Sequence, residues 1–348
     1  MKKFFILLTI TLVVGAACQQ ATVTPSPTPE QSTLTIYTYD SLAAEGGLLP
    51  AIKDQFEQQY QVRLEIITFP DTGTMLQQLL AEQNQPSADI VLGLDNVNFA
   101  QTLTDNLFEP YRPQPASSIA QDLQFDSTFS ITPFDYGYIG FVYDTTALQF
   151  SEPISLQDLA TPQYADQIII EQPGLSSPGT QLVLWAQAVV PTDQRGTFWD
   201  GLASNSLAVT PDWSTAYYTM FLNGEAPIVL SYLTSPAYHI DQEQTNRYAA
   251  IPIKEGYIRQ IEGVAIIRST DQLAIAQQFI DYLLTDNVQN MIPTTQWMFP
   301  VLGDPGSWPA AYNQIIVPTP EQVHTVSAVS IAESMPDWLR LWQEHFQP

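Results

Sequence analysis

Leu34-Thr35-Ile36-Tyr37-Thr38-Tyr39-Asp40-Ser41 alternates β-forming residues and stops at a polar pair, so it reads as a strand whose tip enters a loop. Working outward, Leu49, Ile52, Phe56 and Tyr60 recur at helical spacing over residues 48–60. Val62 to Ile67 is a second strand. Met75, Leu76, Leu79 and Leu80 stripe a helix over residues 74–82, and Asp89-Ile90-Val91-Leu92-Gly93 is a third strand of the buried kind. The order β-α-β-α-β predicts an α/β sheet with right-handed crossovers. Ligands of such sheets bind beyond the carboxyl ends of the strands. Those ends are Tyr39-Asp40, Phe69-Pro70-Asp71 and Leu94-Asp95-Asn96, so three carboxylates and a tyrosine point to one crevice.

The second half repeats the theme with other chemistry. Phe134 to Asp144 is an aromatic strand long enough to cross between two lobes, and residues 248–267 are expected to cross back. Ile168-Ile169-Ile170 and Ile228-Val229-Leu230-Ser231-Tyr232 are buried strands. Between them, Ser176-Ser177-Pro178 opens a helix over residues 181–189, where the serines suit an N-cap and free N–H groups an anion cradle. Further helices are expected at residues 272–284 and 288–292, with a closing helix near residues 336–346.

Composition narrows the class. Eleven Lys and Arg stand against 36 Asp and Glu, a formal charge of −25, which does not suit a phosphate backbone. One Cys excludes an intrachain disulfide framework and a cysteine-cluster metal site. That Cys18 follows Lys2-Lys3, an apolar run from Phe4 to Val14, and Gly15-Ala16-Ala17, the layout of a secretory signal. The segment resembles a bacterial lipobox, with Gly15 where an aliphatic residue is usual. Cys18 is therefore expected to be the acylated N-terminus and a membrane anchor. Gln19 to Ser32 is polar and proline-rich, a solvated tether. The expected organisation is a signal peptide at 1–18, a tether at 19–32, lobe 1 at 33–135 plus 260–300, and lobe 2 at 136–259 plus 301–348.

Five strings carry a family resemblance: Tyr37-Thr38-Tyr39-Asp40-Ser41; Asp89 to Asn96; Pro133-Phe134-Asp135-Tyr136-Gly137-Tyr138; Leu230 to His239; and Ile292-Pro293-Thr294-Thr295-Gln296-Trp297-Met298-Phe299-Pro300. Together they resemble the thiamine-binding periplasmic subunit of ABC transporters. The resemblance implies a two-lobe type II periplasmic binding protein fold, with two crossover strands and a ligand cleft between the lobes. It also implies a secreted, periplasmic or cell-surface monomer that delivers thiamine, its monophosphate or its diphosphate to permease subunits, without enzymatic activity, cofactor, metal or nucleic acid.

The family's contact positions fall on Tyr39, Asp71, Ser176, Ser177, Trp213, Tyr232, Ser235, Tyr238 and Trp297. The resemblance implies that Tyr39, Tyr238 and Trp297 stack on the rings, and that Asp71 with the Thr72 backbone holds the aminopyrimidine. Ser176, Ser177, Trp213, Tyr232 and Ser235 would surround the hydroxyethyl or phosphate end. Where relatives often carry a tryptophan after the first strand, this chain has Glu45-Gly46-Gly47. None of the eleven basic residues lies in a site motif, and a diphosphate normally recruits Arg or Lys, so thiamine or its monophosphate is favoured. Each site residue has a plainer role: Tyr39 as strand-end packing, Trp297 as a plug, Asp71 and Asp95 as helix caps, Asp135 and Tyr136 as hinge residues, His239 as structural. Tyr217-Tyr218 would suit a ferric-ion receptor of the same fold, and acidic, aromatic walls a polyamine receptor. A thiamine-degrading enzyme would need a cleft cysteine, and Cys18 is the only one.

Overall fold

The computed structural model describes residue 1 and residues 32–82, 85–103 and 105–346. Residues 2–18 of the expected signal, Cys18 among them, and residues 19–31 of the expected tether lie outside the described residues. Among the described residues no helix is long and apolar enough to cross a membrane.

Thr33–Tyr39 lies between Arg63–Phe69 and Ile90–Asp95 and runs parallel to both. The helices Leu48–Tyr60 and Thr72–Ala81 are the crossovers. Parallel strands of this kind are buried on both faces, and they are here. Leu34, Ile36, Leu64, Ile90 and Leu92 pack against Leu49, Ile52 and Phe56, together with Phe279, Ile280 and Leu283 of the helix Leu273–Leu283. On the other face, Tyr37, Val91 and Leu94 pack against Met75, Leu76 and Leu79.

Thr132–Asp144 changes partners midway. Up to Tyr138 it pairs antiparallel with Tyr257–Ile267, which also pairs with Ile90–Asp95. From Ile139 it pairs antiparallel with Ile228–Tyr232 and opens a second sheet. Ile168–Glu171 and Ser206–Thr210 complete that sheet in parallel. Its core joins Ile168, Ile170, Ile228 and Leu230 to Leu182, Trp185 and Ala186 of the helix Ser177–Val189. The architecture is the expected mixed α/β, two-lobe type II fold, and Thr132–Asp144 is the outgoing crossover.

Three details add to the expectations. The return segment crosses back as two strands, Tyr248–Ala250 and Tyr257–Ile267. Pro252 lies in the break and has no N–H to give to a ladder. The closing helix starts eight residues earlier than expected, at Ala328, because Ser327 caps it by accepting from the Ser330 N–H at 3.1 Å. It packs on both Asn96–Thr102 of the first lobe and Arg195–Asn205 of the second. The third, at the serine-rich helix start, bears on the site.

Candidate ligand-binding site

A cleft with about 870 Å³ of empty space opens between the lobes at the carboxyl ends of the strands. Tyr39, Asp71, Thr72, Ser177, Trp213, Tyr232, Ser235, Tyr238 and Trp297 line it, together with Ser41, Tyr217, Tyr218, Thr234, Glu262, Thr295, Gln296 and Met298. Of the expected site residues, Ser176 alone is not on its wall. Its side chain is buried, and its hydroxyl has no partner among the described residues.

The aromatic side chains come from five places. Tyr39 ends the first strand, and its ring lies over Gly93, where φ is +98°. A Cβ at Gly93 would sit 2.4 Å from Tyr39 Cε1, so both the backbone conformation and the missing side chain let the ring lie flat there. Tyr238, on the helix Ser235–Gln242, meets Trp297 edge to face at 5.4 Å. Trp297 follows a short helix and takes φ +56°. Trp213 stacks on Tyr217 at 5.0 Å, within a stretch whose Thr215–Phe221 forms a π-helical turn, a geometry that often marks sites. Its indole N–H donates to Ser231 Oγ at 2.9 Å, and Ser231 Oγ meets Ser235 Oγ at 2.8 Å. Tyr232 OH donates to Gln260 Oε1 at 3.1 Å.

At the serine-rich helix start, Ser176 occupies the N-cap position without a side-chain cap bond. The cap arrives from the other lobe: Asp71 Oδ1 accepts the Ser177 N–H at 3.0 Å. The same carboxylate accepts the Thr72 N–H at 2.8 Å, capping its own helix, and through Oδ2 the Trp213 N–H at 3.2 Å. The expected anion cradle is thus filled by the protein's own anion, because a carboxylate there answers both the orphan N–H and the helix dipole. Thr72 and Ser177 share a hydroxyl bond at 2.6 Å, and the Gly73 N–H donates to Leu175 O at 2.9 Å. These contacts latch the lobes together. Burial pushes Asp71 up to about 6 against the pull of its N–H donors, so near neutrality it is ionised. A carboxylate has about four lone-pair positions, which leaves Oδ2 room for one more donor.

Asp95 does what its plainer role suggested. Its Oδ1 accepts the Val97 and Asn98 N–H groups, capping Asn96–Thr102. Its Oδ2 accepts from Ser177 Oγ at 2.7 Å, adding to the latch. Asp40 is exposed, and Asp135 and Tyr136 sit on the outgoing crossover away from the cleft wall. His239 is buried between Tyr217 OH, at 2.9 Å, and Glu243, at 2.7 Å, a structural position.

Glu262 is the site residue that the motifs missed. It lies on the return strand, is 2% exposed, and lines the cleft floor. Tyr39 OH donates to its Oε2 at 2.6 Å, and the Gln260 side-chain N–H donates to Oε1 at 2.9 Å. Gln296 in turn donates to Tyr39 OH. A signal for it existed: Gln260 and Glu262 are two residues apart in a largely apolar strand, so they share one face. Glu45-Gly46-Gly47 lines a wider vestibule with Asp40, Tyr218, Tyr238 and Trp297. Open space lies there instead of the aromatic wall that the resemblance implied, since nothing lies within 4 Å of a Cβ placed on Gly46. None of the described residues lining the cleft is Lys, Arg or His.

Two lobes, a strand-built hinge and a latched cleft define a solute receptor of the type II class, and the chain belongs to the bacterial extracellular solute-binding protein family, which it matches over residues 51–304. Within that class its kinship is narrower. It is 35% identical over 309 residues to the thiamine-binding periplasmic protein of Brucella melitensis, covering 89% of this chain and 90% of that one. It is 36% identical over 324 residues to the protein of the same name from Escherichia coli, covering 91% and 94%. A solved structure of a periplasmic thiamin binding protein superposes with a TM-score of 0.82 at 34% identity, covering 93% of this chain and 99% of that one.

Proposed function

We propose that this protein is the extracytoplasmic substrate-binding subunit of a thiamine ABC importer. It binds thiamine or thiamine monophosphate between its lobes and presents the closed form to permease subunits. The observation that carries this reading is a cleft walled by aromatic rings and floored by carboxylates, without a basic side chain. Thiamine brings a permanently charged thiazolium and a flat aminopyrimidine. A cation over an aromatic face gains about 0.5–2 kcal/mol, and Tyr238, Trp297 and Trp213 offer such faces. Asp71 Oδ2 is the acceptor for the pyrimidine amine, beside Thr72. Ser177, Tyr232 and Ser235 surround the hydroxyethyl end.

The donors near that end are already engaged within the protein. An anionic tail therefore meets Asp71 where a helix terminus would otherwise receive it, which supports thiamine and the monophosphate over the diphosphate. Calorimetric titration with the three forms tests this: diphosphate binding at least tenfold tighter than thiamine would contradict the preference. Cys18 is proposed as the lipid attachment that holds a monomeric receptor at the outer side of the cytoplasmic membrane. A Cys18→Ser protein that still fractionates with membranes would refute the anchor. The chain is proposed as a receptor and not a catalyst, and turnover of thiamine by the purified protein would overturn that.

The site chemistry does not favour iron. Tyr217 packs in the second lobe's core with Ala216 and Phe221, and its hydroxyl is bonded to His239. Burial raises its pKa well above the usual tyrosine value, against the phenolate that a ferric ion needs. Among the described residues no group of three His, Cys, Asp or Glu is arranged to hold a metal ion.

A further inference from the structure

Three carboxylates lie in one row across the first sheet. Glu262 on the return strand is paired directly with Asp95 on one side and Asp135 on the other. All three are buried, at 2%, 0% and 0% exposure. Like charges directly opposite each other on neighbouring strands destabilise a sheet, and among the described residues no Lys or Arg forms an ion pair with any of the three. Nor does either Asp135 oxygen have a hydrogen-bond partner among them. Asp95 is committed to its helix cap and to the latch. Only Glu262 combines a place in the row with a place on the cleft wall.

We propose that Glu262 is the residue that selects a cationic ligand: it is the counter-charge for the thiazolium, and it gives up its proton to solvent as the cation arrives. The inference rests on the thiamine reading and extends it. In the empty cleft the carboxyl is protonated. Binding converts Glu262–COOH plus the ligand cation into Glu262–COO⁻ beside that cation, with one proton released. Burial and the acidic neighbours favour the neutral form when the cleft is empty, outweighing the Tyr39 and Gln260 donors, which favour the anion. Asp135 faces Glu262 from the outgoing crossover, Asp95 from the third strand, Asp71 from the loop after the second strand, and Tyr39 and Tyr232 from two further strand ends. Burial pushes Glu262 up to about 8, with the charges of Asp95 and Asp71 adding to it, and Asp135 is pushed up well beyond the usual range by burial and by Glu262. A cation in the cleft reverses that balance for Glu262, because an opposite charge at contact distance favours the ionised form. Tyr39 and Gln260 stay in place as donors to the carboxylate.

The test is titration calorimetry of the whole secreted chain with thiamine at pH 7, in phosphate and in Tris. These buffers differ in ionisation heat and so count protons. The wild-type protein should release close to one proton per thiamine. Its affinity should rise about tenfold per pH unit between pH 6 and 7 and level off above 8. An uncharged isostere of thiamine, with a thiophene ring in place of the thiazolium, should bind without proton release. E262Q keeps an acceptor for Tyr39 but cannot become an anion, so its preference for thiamine over the isostere should fall at least tenfold, with a flat pH profile. Wild-type binding of thiamine without proton release overturns the proposal even if the variant does not fold. An undiminished preference for thiamine in E262Q overturns it as well. Absence of thiamine binding at every pH from 6 to 9 would overturn the thiamine reading itself, and the proposal with it.

Discussion

Replacing Gly73 with Ala should weaken thiamine binding by two orders of magnitude while leaving the protein as stable as before, or more so. Gly73 lies in the first turn of Thr72–Ala81, where the first lobe touches the second. A Cβ there would sit 2.4 Å from Gly174 O and 2.4 Å from Leu175 O, both backbone atoms of the opposite lobe. An ordinary carbon–oxygen contact is about 3.3 Å, so the lobes must part by about 0.9 Å at this point. The Gly73–Leu175 bond at 2.9 Å, and the bonds from Ser177 and Trp213 to Asp71 at 3.0 and 3.2 Å, then stretch past a useful length. At about 0.5–1.5 kcal/mol for each of these three bonds and the Thr72–Ser177 bond, closure loses about 2–6 kcal/mol. That corresponds to roughly 30-fold at the low end and over 10,000-fold at the high end in Kd. Within its own lobe the change is favourable, since Ala improves on Gly in a helix by up to about 1 kcal/mol. Calorimetry with thiamine, a thermal melt and small-angle scattering with saturating ligand separate these effects. The variant should melt no lower than wild type, bind weakly and stay expanded. Wild-type affinity in the variant would refute the latch, as would a large drop in melting temperature.

Trp297→Ala and Tyr238→Ala should each weaken thiamine binding at least tenfold, with little change in melting temperature, because both side chains are half-buried on the cleft wall and not in a lobe core. Wild-type affinity in either would remove the stacking assignment. Without ligand, the melting temperature should fall as pH rises from about 5.5 to 9. Asp71 and Glu262 hold protons up to about 6 and about 8 in the folded chain, well above ordinary carboxylates, so the folded state binds more protons and stability is lost as pH rises through those values. Saturating thiamine should flatten that slope, and a rise in melting temperature over the same range would count against the buried acid row. Iron added to the purified protein should produce no visible absorption band, and a coloured complex would reopen the assignment of Tyr217 and Tyr218.

Much of the first lobe was readable because its strands are short, apolar and separated by helices of the right period. Leu48–Tyr60 begins and ends where its spacing predicts. The strand ends alone place Tyr39 and Asp71 at the crevice. What the sequence did not show depends on two segments far apart meeting. Ser176-Ser177-Pro178 looks locally like a self-capped helix start, and nothing nearby says that Asp71, over a hundred residues earlier, supplies the cap. Glu262 was hidden for a different reason. Its strand reads as a buried crossing segment, and the weight of Ile258, Ile261, Val264, Ala265, Ile266 and Ile267 masks the polar pair on one face. Tyr217 is ambiguous by nature, since it lines the cleft and packs in the core behind it.

Whether this cleft selects thiamine is decided by one calorimetric series. The purified chain is titrated with thiamine, its monophosphate, its diphosphate and spermidine under the same conditions. Thiamine should bind saturably and one to one, the monophosphate comparably, the diphosphate with no tenfold advantage, and spermidine weakly or not at all. Spermidine binding with no heat from any thiamine form would contradict thiamine selection.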